Sequence, residues 1–154
     1  MRFYSLGPEA AGELGTNTIG NTSERPHRIE RLHMELTFWP EDDLIDAYTY
    51  VCSQALADTL SKSGLTGFQL DQIYEVSKGD QFEISVKGHE NQKLPEFLWL
   101  KVLGKPGIDD FGLVQGPCGL PLVVSEQALA VLRKHNLNHC KVVEYSDKSL
   151  QAAG

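Results

Sequence analysis

Six carboxylates lie close together in one stretch of the chain and have no basic neighbour. Between residues 32 and 61 there is no Lys or Arg, and the acidic residues are Glu35, Glu41, Asp42, Asp43, Asp46 and Asp58. The whole chain has 14 basic and 21 acidic residues, a net charge of -7, and these six carboxylates account for most of it. A cluster of one sign speeds association with a basic partner and repels nucleic acid. We therefore predict a basic protein partner and no nucleic-acid binding.

Aromatic residues and a second pair of aspartates accompany this cluster. Trp39 and Tyr48 flank the carboxylates, and aromatic side chains concentrate binding energy at protein interfaces. We predict a partner-binding surface made of Trp39, Glu41, Asp42, Asp43, Asp46 and Tyr48, with Asp109 and Asp110 as a second patch. Two alternatives stay open. The two aromatic rings could pack in the core, and Pro40 followed by three acids is also typical of the first turn of a short helix.

No catalytic or cofactor motif is evident in the sequence. Ser53 and Ser125 are better explained as helix caps than as nucleophiles, since neither lies in a G-x-S-x-G elbow. The histidines and the three cysteines have no zinc-site or CxxC spacing. We therefore predict no catalytic residue, no metal and no cofactor. The alternative from another class is a metal-assisted hydrolase that uses His33, Glu35 and an aspartate pair.

The elements that would position these residues contain an approximate internal repeat. Residues 50–65 align without a gap on residues 122–137, so that Ser53 meets Ser125 and Gly64 meets Asn136. Each copy is typical of an apolar strand, a Ser N-cap, a helix and a Gly or Asn that ends it. A second strand follows in each copy, at Phe68–Val76 and Cys140–Tyr145.

Hydrophobic alternation predicts the remaining elements. Between two predicted strands, Gly7–Pro26 is interpreted as a long loop. Alternation in Leu32–Phe38 predicts a strand with His33 and Glu35 on its wetter face. The predicted strands outside the repeat are Arg2–Leu6, Leu32–Phe38, a brief edge strand at Phe82–Val86, and Phe97–Leu103.

Together these elements predict an α+β fold with a mixed or antiparallel sheet and two helices packed on one side. We expect one domain over residues 1–154, with repeat units at about 47–76 and 120–145 and a flexible tail at 146–154. The mean hydropathy of -0.27 and the absence of a long apolar run predict a soluble protein that does not enter the membrane. The N-terminal apolar stretch is too short for a signal peptide, which predicts a cytoplasmic location.

Several segments also resemble a known group of proteins. They are residues 50–60 continuing into Leu65–Phe68, residues 97–102, residues 109–112 and residues 122–129. They resemble small uncharacterised bacterial proteins that are similar to immunity proteins of polymorphic and contact-dependent toxin systems. This resemblance implies a cytoplasmic protein that binds and neutralises a cognate toxin. A third hypothesis is a structural subunit that self-associates through Phe97–Leu103, and a homodimer is compatible with either binding role.

Overall fold

The protein folds mostly into short β-strands, accompanied by three short helices. The computed structural model describes residues 1–21, 23, 28–115 and 120–146. Mixed and antiparallel sheets with helices confirm the α+β class. In chain order the elements are β1 (Phe3–Gly7), β2 (Glu9–Ala10), β3 (Gly12–Leu14), β4 (Ile19–Asn21), β5 (Arg28–Arg31), β6 (His33–Leu36), β7 (Leu44–Asp46), β8 (Tyr50–Ser53), α1 (Gln54–Ser61), β9 (Phe68–Asp71), β10 (Glu75–Lys78), α2 (Phe82–Ser85), β11 (Phe97–Val102), β12 (Phe111–Leu113), β13 (Leu122–Ser125), α3 (Glu126–Leu132) and β14 (Lys141–Glu144).

A five-stranded sheet carries residues 41–46, which we call the acidic segment, at one end. Its strand order is β2-β7-β8-β11-β9, and only β2 runs parallel to its neighbour. Strand β8 leads directly into α1 because Ser53 caps the helix, its hydroxyl oxygen accepting the Leu56 N–H at 3.2 Å. Of the carboxylates of residues 41–46, Asp43 therefore lies beside the start of α1, whereas Asp46 lies at the other end of β7, paired with Tyr50.

A second, four-stranded sheet is antiparallel throughout. Its order is β12-β13-β1-β14, so the first strand of the chain is an interior strand with hydrogen-bonded neighbours on both sides. Ser125 caps α3 in the same way that Ser53 caps α1, accepting the Ala128 N–H at 3.1 Å. Both serines are thus helix caps, as the sequence predicts.

Helices α1 and α3 share one hydrophobic core with the five-stranded and four-stranded sheets. Helix α1 contributes Leu56 and Leu60, and α3 contributes Leu129 and Leu132, all of them buried. The core also contains Leu6, Leu44, Tyr50, Cys52, Ala57, Leu100, Phe111, Leu122, Val124 and Ala128. Burial of each large apolar side chain stabilises the fold by about 1.5–3 kcal/mol, so this core holds the two sheets together.

A three-stranded sheet covers the opposite face of the five-stranded sheet. Its order is β10-β6-β3, with β10 parallel and β3 antiparallel to the central strand β6. The side chains of Ile45, Val51 and Trp99 point from the larger sheet into this second core. They meet Ala11, Leu32, Met34, Leu36, Ala47 and Phe82. Sheet residues on alternating positions therefore fill two different cores.

Three sequence-based predictions of local structure are wrong. Within the expected loop 7–26, the described residues form β2, β3 and β4. Residues 82–86 begin with the short helix α2 instead of an edge strand. Residues 68–76 divide into β9 and the start of β10, which belong to different sheets. The alternative that residues 41–43 form the first turn of a short helix does not hold either, because these residues are not helical.

His33 also lies on the buried side of its strand, contrary to the prediction. It is 4% exposed, and both ring nitrogens are engaged. Nδ1 accepts the Asn17 N–H at 3.1 Å, and Nε2 lies 2.7 Å from the Ser77 hydroxyl oxygen. The imidazole therefore ties strand β6 to its neighbours instead of facing solvent.

Candidate functional site

Asp42 is buried at the centre of the acidic segment. Its side chain is fully shielded from solvent, and both carboxylate oxygens are bound to His139. Oδ2 accepts the backbone N–H of His139 at 2.7 Å, and Oδ1 lies 2.9 Å from the imidazole Nδ1. The structure therefore places this carboxylate inside the fold, whereas the sequence pattern predicts it on the binding surface.

Asp43 has a structural role that joins two distant parts of the chain. The Ser53 hydroxyl donates to its Oδ1 at 2.7 Å, and the backbone N–H of Asn136 donates to its Oδ2 at 2.7 Å. The same serine oxygen caps α1. The carboxylate thereby orients the capping hydroxyl and holds the loop that follows α3, so most of its hydrogen-bonding capacity is used inside the fold.

Asp110 orients the capping serine of α3 in the way that Asp43 orients that of α1. The Ser125 hydroxyl donates to its Oδ1 at 2.6 Å, and the Thr66 N–H donates to its Oδ2 at 2.9 Å. Burial acts to raise the pKa of Asp110, but hydrogen bonds from Ser125 and Thr66 outweigh burial and leave its pKa lowered. Asp109 accepts the Lys105 N–H at 2.7 Å. The proposed second binding patch is therefore engaged in local structure.

Replacement of Asp110 by Ala is expected to lower the free energy of unfolding by about 2–3 kcal/mol, because hydrogen bonds to a carboxylate from Ser125 and Thr66 are lost. Urea unfolding at pH 7 measures this loss, with the exposed Asp80→Ala as the control. Because the folded pKa is depressed, the contribution is present above the unfolded pKa and disappears as the pH falls through the folded pKa. An Asp110→Ala protein as stable as Asp80→Ala would contradict this role.

Glu9 connects the acidic segment to strand β2. Its Oε1 accepts the N–H groups of Glu41 at 2.8 Å and Asp42 at 3.1 Å, and its Oε2 lies 3.8 Å from His139 Nδ1. Burial raises the pKa of Glu9, although the two backbone hydrogen bonds oppose the rise. No sequence pattern singles out this residue, because it lies in a region interpreted as a loop.

Glu41 is the exposed carboxylate among residues 41–46. Its Oε1 lies 3.0 Å from Nε2 of His89. The His89 ring stacks on Trp39 with a centroid distance of 4.9 Å and an interplanar angle of 7°. Trp39 itself is half-buried, and its backbone N–H donates to the Ser85 hydroxyl at 2.8 Å. A carboxylate, an imidazole and an indole are thus held side by side.

Tyr48 occupies the tip of the hairpin formed by β7 and β8. Its ring is 62% exposed, and its φ of 63° places a non-glycine residue in the left-handed region. The Tyr48 N–H donates to the Asp46 carboxylate at 2.8 Å. A glycine would adopt this turn without strain, whereas tyrosine pays roughly 1–2 kcal/mol for it. Backbone strain of this kind is a reason to suspect a function for the side chain.

Phe38 is a further exposed aromatic residue that the sequence analysis did not single out. Its ring is 48% exposed. The N–H of Phe38 donates to the Ala11 carbonyl, and the N–H of Ala11 donates to the Asp46 carbonyl, both at 3.3 Å. Phe38 therefore lies one strand away from the hairpin that ends in Tyr48. We call Phe38, Trp39, Glu41, Asp46 and Tyr48 the acidic-aromatic edge.

The residues named for the hydrolase alternative have other partners within the fold. His33 is buried and hydrogen-bonded through both nitrogens, and the aspartates of both pairs bind other parts of the fold. Across the described ranges, no group of three or more His, Cys, Asp or Glu side chains could hold a metal ion. Burial raises the pKa of Cys52 to about 12 and of Cys140 to about 11, so neither thiol is an activated nucleophile.

No protein-family model, curated protein or solved structure matches the chain. The geometry of the described residues is therefore the basis for inferring function. None of the helices in the described ranges has the length and apolar character needed to cross a lipid bilayer.

Strand β11 does not offer the free edge that self-association by strand pairing would need. It lies between β8 and β9 and pairs antiparallel with both. Its residues Trp99 and Leu100 are buried in different cores. The hypothesis that this strand joins two copies of the chain is therefore not supported by its position. Residues 147–154 of the predicted tail, with Gly116, Pro117, Cys118 and Gly119, lie outside the described residues.

Proposed function

We propose that this protein binds a basic partner protein through the acidic-aromatic edge, as an immunity protein that neutralises a cognate toxin in the bacterial cytoplasm. The observation that carries the proposal is Tyr48, an exposed aromatic ring held on a strained backbone next to a carboxylate. Exposed tyrosines are efficient anchors at protein interfaces, since they bring a large contact area and lose little conformational entropy.

Charge supports a basic partner. Glu41 is exposed, and the carboxylates of residues 41–46 lie in a segment that contains no Lys or Arg. The side-chain partners of Glu41 and Asp42 are the histidines His89 and His139. An exposed carboxylate such as Glu41 favours rapid association with a positive surface.

The partner to test is the C-terminal domain of a secreted toxin encoded directly beside the gene for this protein. Co-expression is expected to protect cells from that domain, and the two purified proteins are expected to bind in calorimetry. Binding should weaken as the salt concentration rises from 50 to about 300 mM, because rim charges are screened. A neighbouring toxin domain that this protein neither binds nor neutralises would contradict the proposal.

Two substitutions locate the surface. Tyr48→Ala is expected to raise the Kd by about 30-fold, the effect typical of an interface anchor, and Glu41→Lys to slow association and reduce its salt dependence. The matched controls are Tyr74→Ala, which removes a similarly exposed tyrosine, and Glu144→Lys, which makes the same charge change on the four-stranded sheet. Equal effects of the test and control variants would exclude the acidic-aromatic edge as the interface.

A further inference from the structure

The two large sheets contain hairpins with the same internal pairing. Leu44 pairs with Cys52 in one hairpin, and Phe111 pairs with Val124 in the other. Each hairpin leads through a capping serine into a helix that enters the shared core. The strand–strand–helix unit thus occurs twice in equivalent surroundings.

The equivalence extends to the next two strands of each sheet. Leu100 of β11 pairs with Leu70, and Leu6 of β1 pairs with Val142. In both sheets the strand that follows the helix is an outer neighbour of this third strand. The order β7-β8-β11-β9 therefore corresponds to β12-β13-β1-β14, with the start of the chain supplying the third strand of the second half.

The two halves hold each other through reciprocal aspartates. Asp43 binds the Asn136 N–H in the loop after α3, and Asp110 binds the Thr66 N–H in the loop after α1. Each aspartate also binds the capping serine of its own half. The loop after each helix is consequently fastened to the hairpin of the other half.

The correspondence is not complete: the amides of Asn136 and Thr66 lie two positions apart in the alignment, and the residue types differ at the position of His139. The alignment that joins Ser53 with Ser125 also joins Gly67 with His139, and Asp109 precedes Asp110 as Asp42 precedes Asp43. A Cβ at Gly67 would lie 2.9 Å from the Asp109 Cβ. The residue that packs against Asp109 is therefore a glycine, which has no ionisable side chain. In the other half the imidazole of His139 binds the buried Asp42. The scaffold itself does not require an imidazole at this position.

We propose that His139 is a protonation-dependent latch that fastens the loop 135–140 of one half to residues 40–43 of the other. The charged imidazolium forms an ion pair with the shielded Asp42 carboxylate, whose second oxygen is held by the His139 backbone N–H. The neutral ring keeps a hydrogen bond but loses the charge attraction, so the loop opens more often.

The other titratable groups near His139 act in the same direction. Glu9 on β2 lies 3.8 Å from Nδ1, and Glu41 precedes Asp42. The hydrogen bond with Asp42 and its charge raise the pKa of His139, and the charges of Glu9 and Glu41 add to the rise. The neighbouring thiol of Cys140 is neutral, because burial raises its pKa to about 11.

The raised pKa of His139 in the folded protein determines the pH window of the latch. The ion pair's contribution to stability is fully present below the unfolded pKa of about 6.5, and it is lost as the pH rises through the higher folded pKa. The protection factor of the His139 amide against hydrogen exchange is therefore expected to fall about two- to fivefold between pH 5.5 and pH 8.5, the effect of an ion pair near the surface.

Nuclear magnetic resonance tests this proposal on the intact protein. The imidazole of His139 is expected to titrate above pH 6.5 in the native chain and closer to it in Asp42→Asn. His139→Gly copies the equivalent residue of the other half and should fold, with a residue 139 amide whose protection no longer depends on pH. An ordinary titration of His139 in the native chain, or equal pH dependence in His139→Gly, would overturn the latch.

Discussion

Replacement of Gly67 by Ala is expected to lower the free energy of unfolding by about 2–5 kcal/mol. An added Cβ would lie 2.2 Å from the Phe111 carbonyl oxygen, and φ is +91°. Overpacking typically costs about 1–3 kcal/mol and a left-handed backbone about 1–2 kcal/mol for a residue with a Cβ. Urea denaturation followed by circular dichroism measures the loss.

Two other glycines separate these contributions. Gly64 has a φ of +72° and nothing within 4 Å of an added Cβ, so Gly64→Ala measures backbone strain alone. A Cβ at Gly104 would lie 2.2 Å from the same Phe111 oxygen without a positive φ, so Gly104→Ala measures the contact. If Gly67→Ala lowers the free energy of unfolding no more than Gly64→Ala does, the two sheets do not pack tightly at Phe111.

Phe111→Ala is expected to cost about 3–5 kcal/mol, the range for removing a large aromatic side chain from a core. The ring is fully buried and meets Phe68 edge-on at a centroid distance of 5.1 Å. Since Phe68 belongs to the five-stranded sheet and Phe111 to the four-stranded one, the pair joins the two halves. A cavity there should loosen both sheets together in a single unfolding transition.

Phe38→Ala is the matched control for this experiment. The ring of Phe38 is 48% exposed, so its removal should change stability by no more than about 0.5 kcal/mol. Differential scanning calorimetry of both variants distinguishes the two environments. Similar transition temperatures for Phe111→Ala and Phe38→Ala would contradict the position of Phe111 in the shared core.

Local sequence patterns were sufficient to predict several elements. A serine directly after an apolar strand and before a helical pattern is a strong start signal, because its hydroxyl satisfies an otherwise unpaired N–H group. Both serines cap helices in the structure. Strand β11 was equally clear, since its aromatic and aliphatic residues lie between a proline and a glycine.

The side-chain partners of the carboxylates could not be predicted in this way. Asp42 and His139 are 97 positions apart, and no local pattern indicates that they meet. A count of charges also does not distinguish the exposed Glu41 from the buried Asp42. Tertiary hydrogen bonds therefore decide which acids of a cluster remain available to a partner.

Short apolar alternations misled the prediction in other places. Apolar residues follow a period of two at Phe82, Ile84 and Val86. Phe82 nevertheless begins a helix of four residues, and its ring enters the second core. In such a short segment, periodicity does not distinguish a strand from a helical turn. The strands between residues 9 and 21 are two or three residues long and leave almost no hydrophobic pattern to detect.

The interior position of β1 has a consequence for the order in which the molecule forms during translation. Leu6 pairs with Leu122 and Val142, which leave the ribosome more than a hundred codons later. The five-stranded sheet can assemble on the nascent chain before then, whereas β1 has to wait without its neighbours. Long-range pairing of this kind is slow, so the backbone groups of β1 stay without their strand partners until β13 and β14 have been synthesised.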